Sequence, residues 1–303
     1  SPAVNPKAAT YPDAMRADRA DDYFGMPVAD PYGRMEDVGS ETVRKWIEAE
    51  NQISFPYLAA IPARDSLLKR FRDLWDYERY ALPTKKAGRY FYWHNDGLQD
   101  QSVLYLTESL QGQPRVLIDP NRLREDATDS VGSVEISHDG TLIAYSISDG
   151  GSDWKQWHIH DVDSSEDHPD LISGTKFTGI SWSLDDKGFY YGRYPMSENG
   201  IADDQRQVAI YYLRLGDTQD EDDLVFGITD HDTRNPYGSV TDDGRCLVIQ
   251  VSDKVDTNGV FYVPLDGSDR TVGRLFDTWD ARYGVVDTDG DVFYVHTNRG
   301  APN

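Results

Sequence analysis

One pattern recurs five times along this chain: a short apolar strand, a tight turn with glycine, and a second strand rich in aromatic residues. The turn glycines follow one another at intervals of about 50 residues, at Gly88, Gly140, Gly188, Gly244 and Gly290. Repeats of roughly 40–50 residues with several short strands are typical of the blades of a β-propeller. Because the sequence ends soon after Gly290, we expect the fifth blade to be incomplete.

From residue 80 onward, apolar and polar residues alternate, as in strands with one face in a core. The strands predicted around and between the turns cover 89–94 with 102–106, 133–137 with 142–146, 180–182 with 189–191, 238–240 with 247–249, and 283–286 with 292–295. Asp139-Gly140 supplies the left-handed backbone that a tight hairpin needs. The sequence therefore predicts a mainly β fold over residues 80–303, a β-propeller of about four and a half blades.

Residues 1–79 do not show this alternation. Ser40 is placed to cap a helix whose apolar residues begin at Val43, and Asp65 is placed to cap a second helix. Pro56 and Pro62 punctuate the chain between them. The second helix would carry its apolar residues, at positions 67, 68, 71 and 74, on one face. We therefore predict an irregular, helix-bearing arm whose apolar faces need another domain to cover them.

Charge limits the range of functions. The net charge of −23 excludes a nucleic-acid partner, which requires a basic face. Most of the 53 acidic residues are aspartate and most of the 30 basic ones arginine, which suits either an ordinary acidic surface or life in high salt. No apolar run is long enough to span a membrane. We expect a cytoplasmic protein, or alternatively a periplasmic one after removal of a signal.

Several polar groupings are candidates for catalytic or metal sites. His158 and His160 lie two apart on one strand and could share a metal, but a polar outer face opposite Trp157 and Ile159 is the favoured interpretation. The carboxylate pairs 185–186 and 242–243 are interpreted as turn residues of the repeat. Serines 133, 152 and 173 are interpreted as hairpin and loop residues, and the sequence contains no G-x-S-x-G. We expect no catalytic residue, metal or cofactor in this chain.

A series of phrases along the whole chain resembles the N-terminal part of the prolyl oligopeptidases, serine peptidases that cut short peptides after proline. The phrases are DDYFG at 21–25, VADPY at 28–32, MED at 35–37, LWDY at 74–77, GLQDQ at 97–101 with VLY at 103–105, GSDW at 151–154, and TN at 297–298 with APN at 301–303. Met35 and Phe24 depart from the usual residues, leucine and histidine. The resemblance implies an arm that packs on a C-terminal α/β-hydrolase domain and a seven-bladed propeller that covers the active site.

The resemblance also implies site residues. Phe177 matches an aromatic position that lines the substrate pocket from the lid side, although it could instead close the start of a blade. Asn235 falls close to a pocket position that is usually apolar, and Asp153 either faces the central tunnel or caps its own turn. The catalytic triad of the family lies in the C-terminal domain, which this sequence does not contain. The partners implied are short proline-containing peptides and that hydrolase domain.

Three functions are compatible with these observations. The preferred one is the gating and substrate-binding portion of a post-proline serine peptidase, inactive on its own. The second is a non-catalytic propeller that binds a peptide or protein. A five-bladed carbohydrate-active propeller fits worse, because it has no need of the arm and its fifth blade would be incomplete. An incomplete propeller would also expose an unpaired strand edge, from which we expect self-association.

Overall fold

The computed structural model describes residues 10–123, 129–196, 207–228, 234–254, 256–267 and 270–300. The chain divides into two compact units, Ser1–Tyr77 and Glu78–Asn303. The division expected from the sequence, after residue 79, lies beside this boundary. The last phrase of the family resemblance, at 301–303, falls outside the described residues. Within the described ranges, no helix is both long enough and apolar enough to cross a membrane.

The first unit contains a β-hairpin and two helices. The hairpin joins β1 (Ala20–Tyr23) to β2 (Met26–Ala29), and the helices are α1 (Glu41–Ala59) and α2 (Arg64–Trp75). The hairpin corrects the expectation of an irregular arm before the helices. Its two-residue turn is formed by Phe24 and Gly25, with φ of 57° and 84°. Left-handed geometry at both turn positions matches the twist of the strands, although phenylalanine rarely adopts it.

The helix ends differ in part from the sequence expectation. The Ser40 hydroxyl accepts a hydrogen bond from the backbone N–H of Val43, so Ser40 caps α1 as predicted. Pro56 does not interrupt the chain there, because α1 continues through it for its last turn. Asp65 is not a cap: α2 begins at Arg64, and no side chain caps its start. Asp65 instead lies in the first turn, where a negative charge favours the helix dipole.

The described part of the second unit consists of five antiparallel sheets that follow one another along the chain. Sheet I contains β3 (Arg79–Tyr80), β4 (Thr84–Lys86), β5 (Arg89–Asn95), β6 (Val103–Thr107) and β7 (Arg115–Ile118). Sheet II contains β8 (Ser130–Ile136), β9 (Leu142–Ser148), β10 (Trp154–Asp161) and β11 (Glu166–Lys176). Sheet III contains β12 (Ile180–Trp182), β13 (Gly188–Arg193), β14 (Ala209–Arg214) and β15 (Asp223–Phe226). Sheet IV contains β16 (Asn235–Val240), β17 (Cys246–Lys254), β18 (Thr257–Pro264) and β19 (Gly273–Phe276), and sheet V contains β20 (Tyr283–Asp289) and β21 (Val292–Thr297).

The strands of each sheet pair in chain order, so each sheet is an up-and-down meander. In sheet I, two short strands share the first place, because Arg79 of β3 lies opposite Asn95 and Thr84 of β4 lies opposite Phe91. The predicted mainly β fold is confirmed.

The core of the second unit lies between successive sheets. Each neighbouring pair shares an apolar cluster, with Phe91 and Ile143 between I and II, Trp157 and Phe189 between II and III, Ile210 and Leu247 between III and IV, and Val260 and Tyr283 between IV and V. The inner sheets are therefore covered on both faces. The predicted alternation fails in β13, where Phe189, Tyr190 and Tyr191 are all buried, because neither face of that strand meets water.

The turns at the repeat positions share one hydrogen-bond arrangement. The carboxylates of Asp139, Asp185 and Asp243 each accept a bond from the hydroxyl two residues earlier, at 2.8, 2.8 and 2.6 Å. The interpretation of 185 and 243 as turn residues is confirmed. Gly188 was wrongly assigned to its turn: Asp186 holds the left-handed position there, with φ of 53°, and Gly188 is the first residue of β13.

The acidic surface makes stability depend on salt. Thirty basic residues cannot neutralise 53 carboxylates, so self-repulsion weakens the folded state when screening is low. We expect the melting temperature to rise by roughly 5 °C or more between dilute and molar KCl. Differential scanning calorimetry over that range measures it, with sorbitol at equal osmolality as the control. A flat or falling melting temperature would contradict a high-salt adaptation.

Candidate functional site

The three residues that the resemblance singled out lie at the same end of their sheets. We call the end at which each first strand begins and each fourth strand finishes the Phe177 end. Asp153 directly precedes β10, Phe177 directly follows β11, and Asn235 begins β16. Sheets II and III contact each other at this end, since the centre of the Trp154 ring of sheet II lies 5.4 Å from that of the Tyr194 ring next to sheet III.

Phe177 is presented to solvent by a constrained backbone. Its side chain is 71% exposed and its φ is 55°, in the left-handed region that non-glycine residues rarely adopt. The next residue is anchored, because the Thr178 hydroxyl donates to the carbonyl of Gly192 at 2.9 Å. Such strained positions persist when the surroundings fix them, and they concentrate at functional sites. The exposure argues against a ring that closes the start of a blade, and substrate contact by Phe177 stays a prediction.

Phe177 belongs to an aromatic cluster that sequence reasoning did not assemble. The ammonium group of Lys176 lies 5.4 Å from the centre of the Phe177 ring and 5.3 Å from that of Trp154. Trp154 in turn meets Tyr194 edge to face. The pairing of Trp154 with Lys176 across β10 and β11 brings the two together. The signal available in the sequence was the GSDW phrase, whose last residue begins a strand directly after a glycine turn.

Asp153 lies in the exposed turn between β9 and β10. The sequence left open whether its carboxylate caps that turn. It does not, because the neighbouring Ser152 hydroxyl accepts the hydrogen bond from the Trp154 backbone N–H at 3.2 Å. A direction toward the central tunnel stays a prediction for Asp153.

Asn235 is exposed and lines a cavity of about 280 Å³ at the first and middle strands of sheet IV. It pairs with Ser252, whose hydroxyl donates to the Asn235 carbonyl at 3.3 Å. Tyr237, two residues further along the same strand, lines this cavity as well. Burial raises the pKa of the Tyr237 hydroxyl, and the Glu135 carboxylate adds to the shift.

Tyr237 links the Asn235 strand to the loop of Phe177. A Cβ atom placed on Gly179 would lie 3.0 Å from the Tyr237 hydroxyl oxygen and 3.2 Å from its ring, so the ring covers the backbone two residues after Phe177. Sequence reasoning missed Tyr237, because alternation along β16 shows which residues share a face but not what that face meets. The structure thus connects Phe177 and Asn235 through Tyr237, while Asp153 lies beside Phe177 across sheet II.

The two histidines of β10 are not a polar outer face, which corrects that interpretation. His160 is only 8% exposed, and its Nδ1 lies 2.8 Å from the Asp167 carboxylate. His158 stacks on Tyr145 with 5.3 Å between ring centres, and burial lowers the pKa of its imidazole. Across the described ranges, no three His, Cys, Asp or Glu side chains are grouped closely enough to hold a metal ion.

The discounted serines occupy structural positions. Ser133 lies within β8 and not in a hairpin turn or loop, and its backbone N–H donates to the Ser146 hydroxyl at 2.9 Å. Ser173 lies within β11. Among the hydrogen bonds of the described residues, none joins a serine hydroxyl to a histidine ring. A nucleophile needs such a base beside it, so none of the described serines is arranged for acyl transfer.

Among the described carboxyl groups, that of Asp222 has the most strongly shifted pKa. Asp222 precedes β15, and burial raises the pKa of its carboxyl to about 6, even though Tyr191 and Arg193 hydrogen-bond to it. Arg193 also lies 4.1 Å from the Tyr211 ring centre. Perturbed carboxyls can mark active sites, but here the partners are a buried tyrosine and a stacked arginine. Asp222 is therefore interpreted as a structural residue of sheet III.

Residues 12–303 match the model of the prolyl oligopeptidase N-terminal β-propeller domain. The chain belongs to this family. The prolyl endopeptidase of Elizabethkingia miricola is 35% identical over 303 residues, which cover 99% of this chain and 43% of that protein. The chain therefore spans less than half the length of this prolyl endopeptidase, and the family resemblance read from the sequence is confirmed.

Solved structures of related enzymes are also similar to this chain. A structure from an analysis of two prolyl endopeptidases and their inter-domain dynamics superposes with a TM-score of 0.83 at 31% identity, covering 97% of this chain and 43% of that one. Prolyl oligopeptidase B from Galerina marginata, bound to a 35mer hydrolysis and macrocyclization substrate, gives a TM-score of 0.80 at 28% identity, covering 96% and 44%. Both are longer proteins that this chain matches in part.

Proposed function

We propose that this chain is the gating and substrate-binding portion of a serine peptidase that hydrolyses short peptides on the C-terminal side of proline. The observation that carries the proposal is the exposed ring of Phe177, held by a left-handed backbone at the same end of the sheets as Asp153 and Asn235. The family membership supports it, and so does the peptide bound to the related enzyme of Galerina marginata.

The architecture of the whole protein follows as part of the proposal. Sheets I to V would be four blades and half of a fifth in a seven-bladed propeller, with the triad in a C-terminal α/β-hydrolase domain. The exposed apolar residues of α2, including Phe71 at 65% exposure, would pack on that domain. Alone, the chain would self-associate through its open edge. A cytoplasmic location stays part of the proposal, with the periplasm as the alternative.

Phe177→Ala, in a longer protein that carries the hydrolase domain, tests the role in substrate binding. We expect kcat/KM to fall about tenfold for peptides extended on the N-terminal side of proline, because one aromatic wall contributes roughly 1–3 kcal/mol. A minimal proline substrate should be little affected, since it does not reach the Phe177 end. Steady-state kinetics on the two substrates measure the difference.

Phe24→Ala is the matched control, because Phe24 is also exposed with a left-handed backbone but lies in the first unit. Equal losses on long and short substrates would mean that Phe177 is structural. A longer protein that binds proline peptides without cleaving them would instead favour the non-catalytic binding module.

A further inference from the structure

The residues that line the cavity at sheet IV all carry a polar group. It holds about 280 Å³ and lies toward the Phe177 end, where β16 begins and β17 ends. Its lining includes Asn235 and Tyr237 of β16, Gln250 and Ser252 of β17, Asn258 of β18, and Arg282. Arg282 is the one charged side chain among the described lining residues. A small concave site with convergent polar groups is the usual form of a binding pocket.

The backbone around Arg282 is fixed on both sides. Asn258 forms a double hydrogen bond to Tyr283, accepting from its N–H at 2.7 Å and donating to its carbonyl at 2.8 Å. The N–H of Arg282 donates to the Asn298 side chain at 2.8 Å. Tyr283 is buried and stacks on Phe276 with 4.0 Å between ring centres. The backbone of Arg282 is therefore held in place by hydrogen bonds where sheets IV and V meet.

No ion pair among the described residues includes Arg282, whereas Asp253 and Asp280 each pair with another arginine. Asp253 lies 3.5 Å from Arg234, and that guanidinium stacks 3.6 Å from the centre of the Trp279 ring. Asp280 pairs with Arg299 at 3.2 Å and accepts hydrogen bonds from two hydroxyl groups. A guanidinium matches a carboxylate with two parallel hydrogen bonds, so Arg282 is free to bind a carboxylate from a ligand.

We propose that Arg282 makes this cavity a subsite for a carboxylate of the bound peptide. The inference rests on the proposed function, because Asn235 in the cavity is connected through Tyr237 to the loop of Phe177. The carboxylate comes from an acidic side chain upstream of proline or from a peptide C-terminus. A chain of net charge −23 otherwise repels an acidic peptide, and Arg282 offsets that repulsion at this cavity.

Binding to the purified chain tests this without any turnover. Fluorescein-labelled peptides of sequence Ala-X-Ala-Pro-Ala-amide, with X as Glu or Gln, are compared by fluorescence anisotropy at low salt. A third peptide carries Gln and a free C-terminal carboxylate. We expect the Glu peptide to bind about fivefold more tightly than its Gln counterpart, as for one exposed charge pair. Arg282→Gln should remove the preference, and Arg282→Lys should retain part of it.

Arg214→Gln is the matched control, since it removes the same charge from an exposed arginine of sheet III at the opposite end. It should leave the preference intact. A preference for the free C-terminus that Arg282→Gln abolishes identifies the terminal source of the carboxylate. Equal binding of all three peptides, a preference that survives Arg282→Gln, or binding of no peptide overturns the inference. The proposed peptidase function is judged separately, by kinetics on uncharged substrates in the longer protein.

Discussion

The purified 303-residue chain should release no fluorophore from a proline-linked fluorogenic peptide above the rate in buffer. Acyl transfer needs a nucleophile, a base to activate it and donors for the oxyanion. The sequence contains no G-x-S-x-G, and no serine hydroxyl among the described residues is bonded to a histidine. We therefore expect no turnover by this chain alone, whatever the Phe177 end binds.

A fluorophosphonate probe run beside the assay checks the same point by labelling. Addition of a separately expressed hydrolase domain is the positive arm, because it would cover apolar side chains of α2 such as Leu67 and Phe71, which are 51% and 65% exposed. Labelling of any serine in the chain, together with turnover, would mean that the active site lies within these residues. Turnover only after the domain is added would support the proposal that this chain binds substrate and the hydrolase domain supplies the catalytic residues.

Gly188→Ala should destabilise the second unit strongly. A Cβ atom at this position would lie 2.2 Å from the carbonyl oxygen of Leu213 and 2.8 Å from the Tyr212 ring. Both belong to the paired strand β14, so β13 must shift away from it and loosen a buried sheet. We expect a loss of about 2–3 kcal/mol of unfolding free energy, as for overpacked cores. Urea denaturation followed by tryptophan fluorescence measures it.

Gly227→Ala is the matched control, because a Cβ atom at this position fits without a clash. Its nearest neighbour would be the Ala209 side chain at 3.8 Å. It should change stability by less than about 0.5 kcal/mol. If both variants have the same free energy of unfolding, the close approach of β13 to β14 does not determine the stability of the second unit. A Gly188→Ala protein as stable as the original would rule out the steric account.

The repeat of strands and turns could be read from the sequence because its cause is local. A hydroxyl two residues before an aspartate, as at Ser137 with Asp139 and Thr241 with Asp243, closes the turn through neighbours in the chain. Alternation failed where burial came from other sheets, as in β13. The turn at 183–187 was misassigned because Asp186 adopts the left-handed position, and Gly188 is glycine because of β14, a strand more than twenty residues away.

The candidate site could be predicted only as single positions. Phe177, Asn235 and Asp153 came from matching phrases, which say nothing of what each side chain touches. That Lys176 joins Trp154 to Phe177, or that Ser152 rather than Asp153 caps its turn, depends on strand register and side-chain direction.

The sequence by itself determined the mainly β class, the strand-and-turn repeat and the prolyl oligopeptidase family, because periodicity, turn chemistry and characteristic phrases are properties of neighbouring residues. Only the tertiary structure decided that Tyr237 covers the loop after Phe177 and that Arg282 faces a polar cavity without an anionic partner among the described residues. The physical reason is that burial, pairing and exposure of a side chain depend on residues far along the chain, which packing of successive sheets brings together.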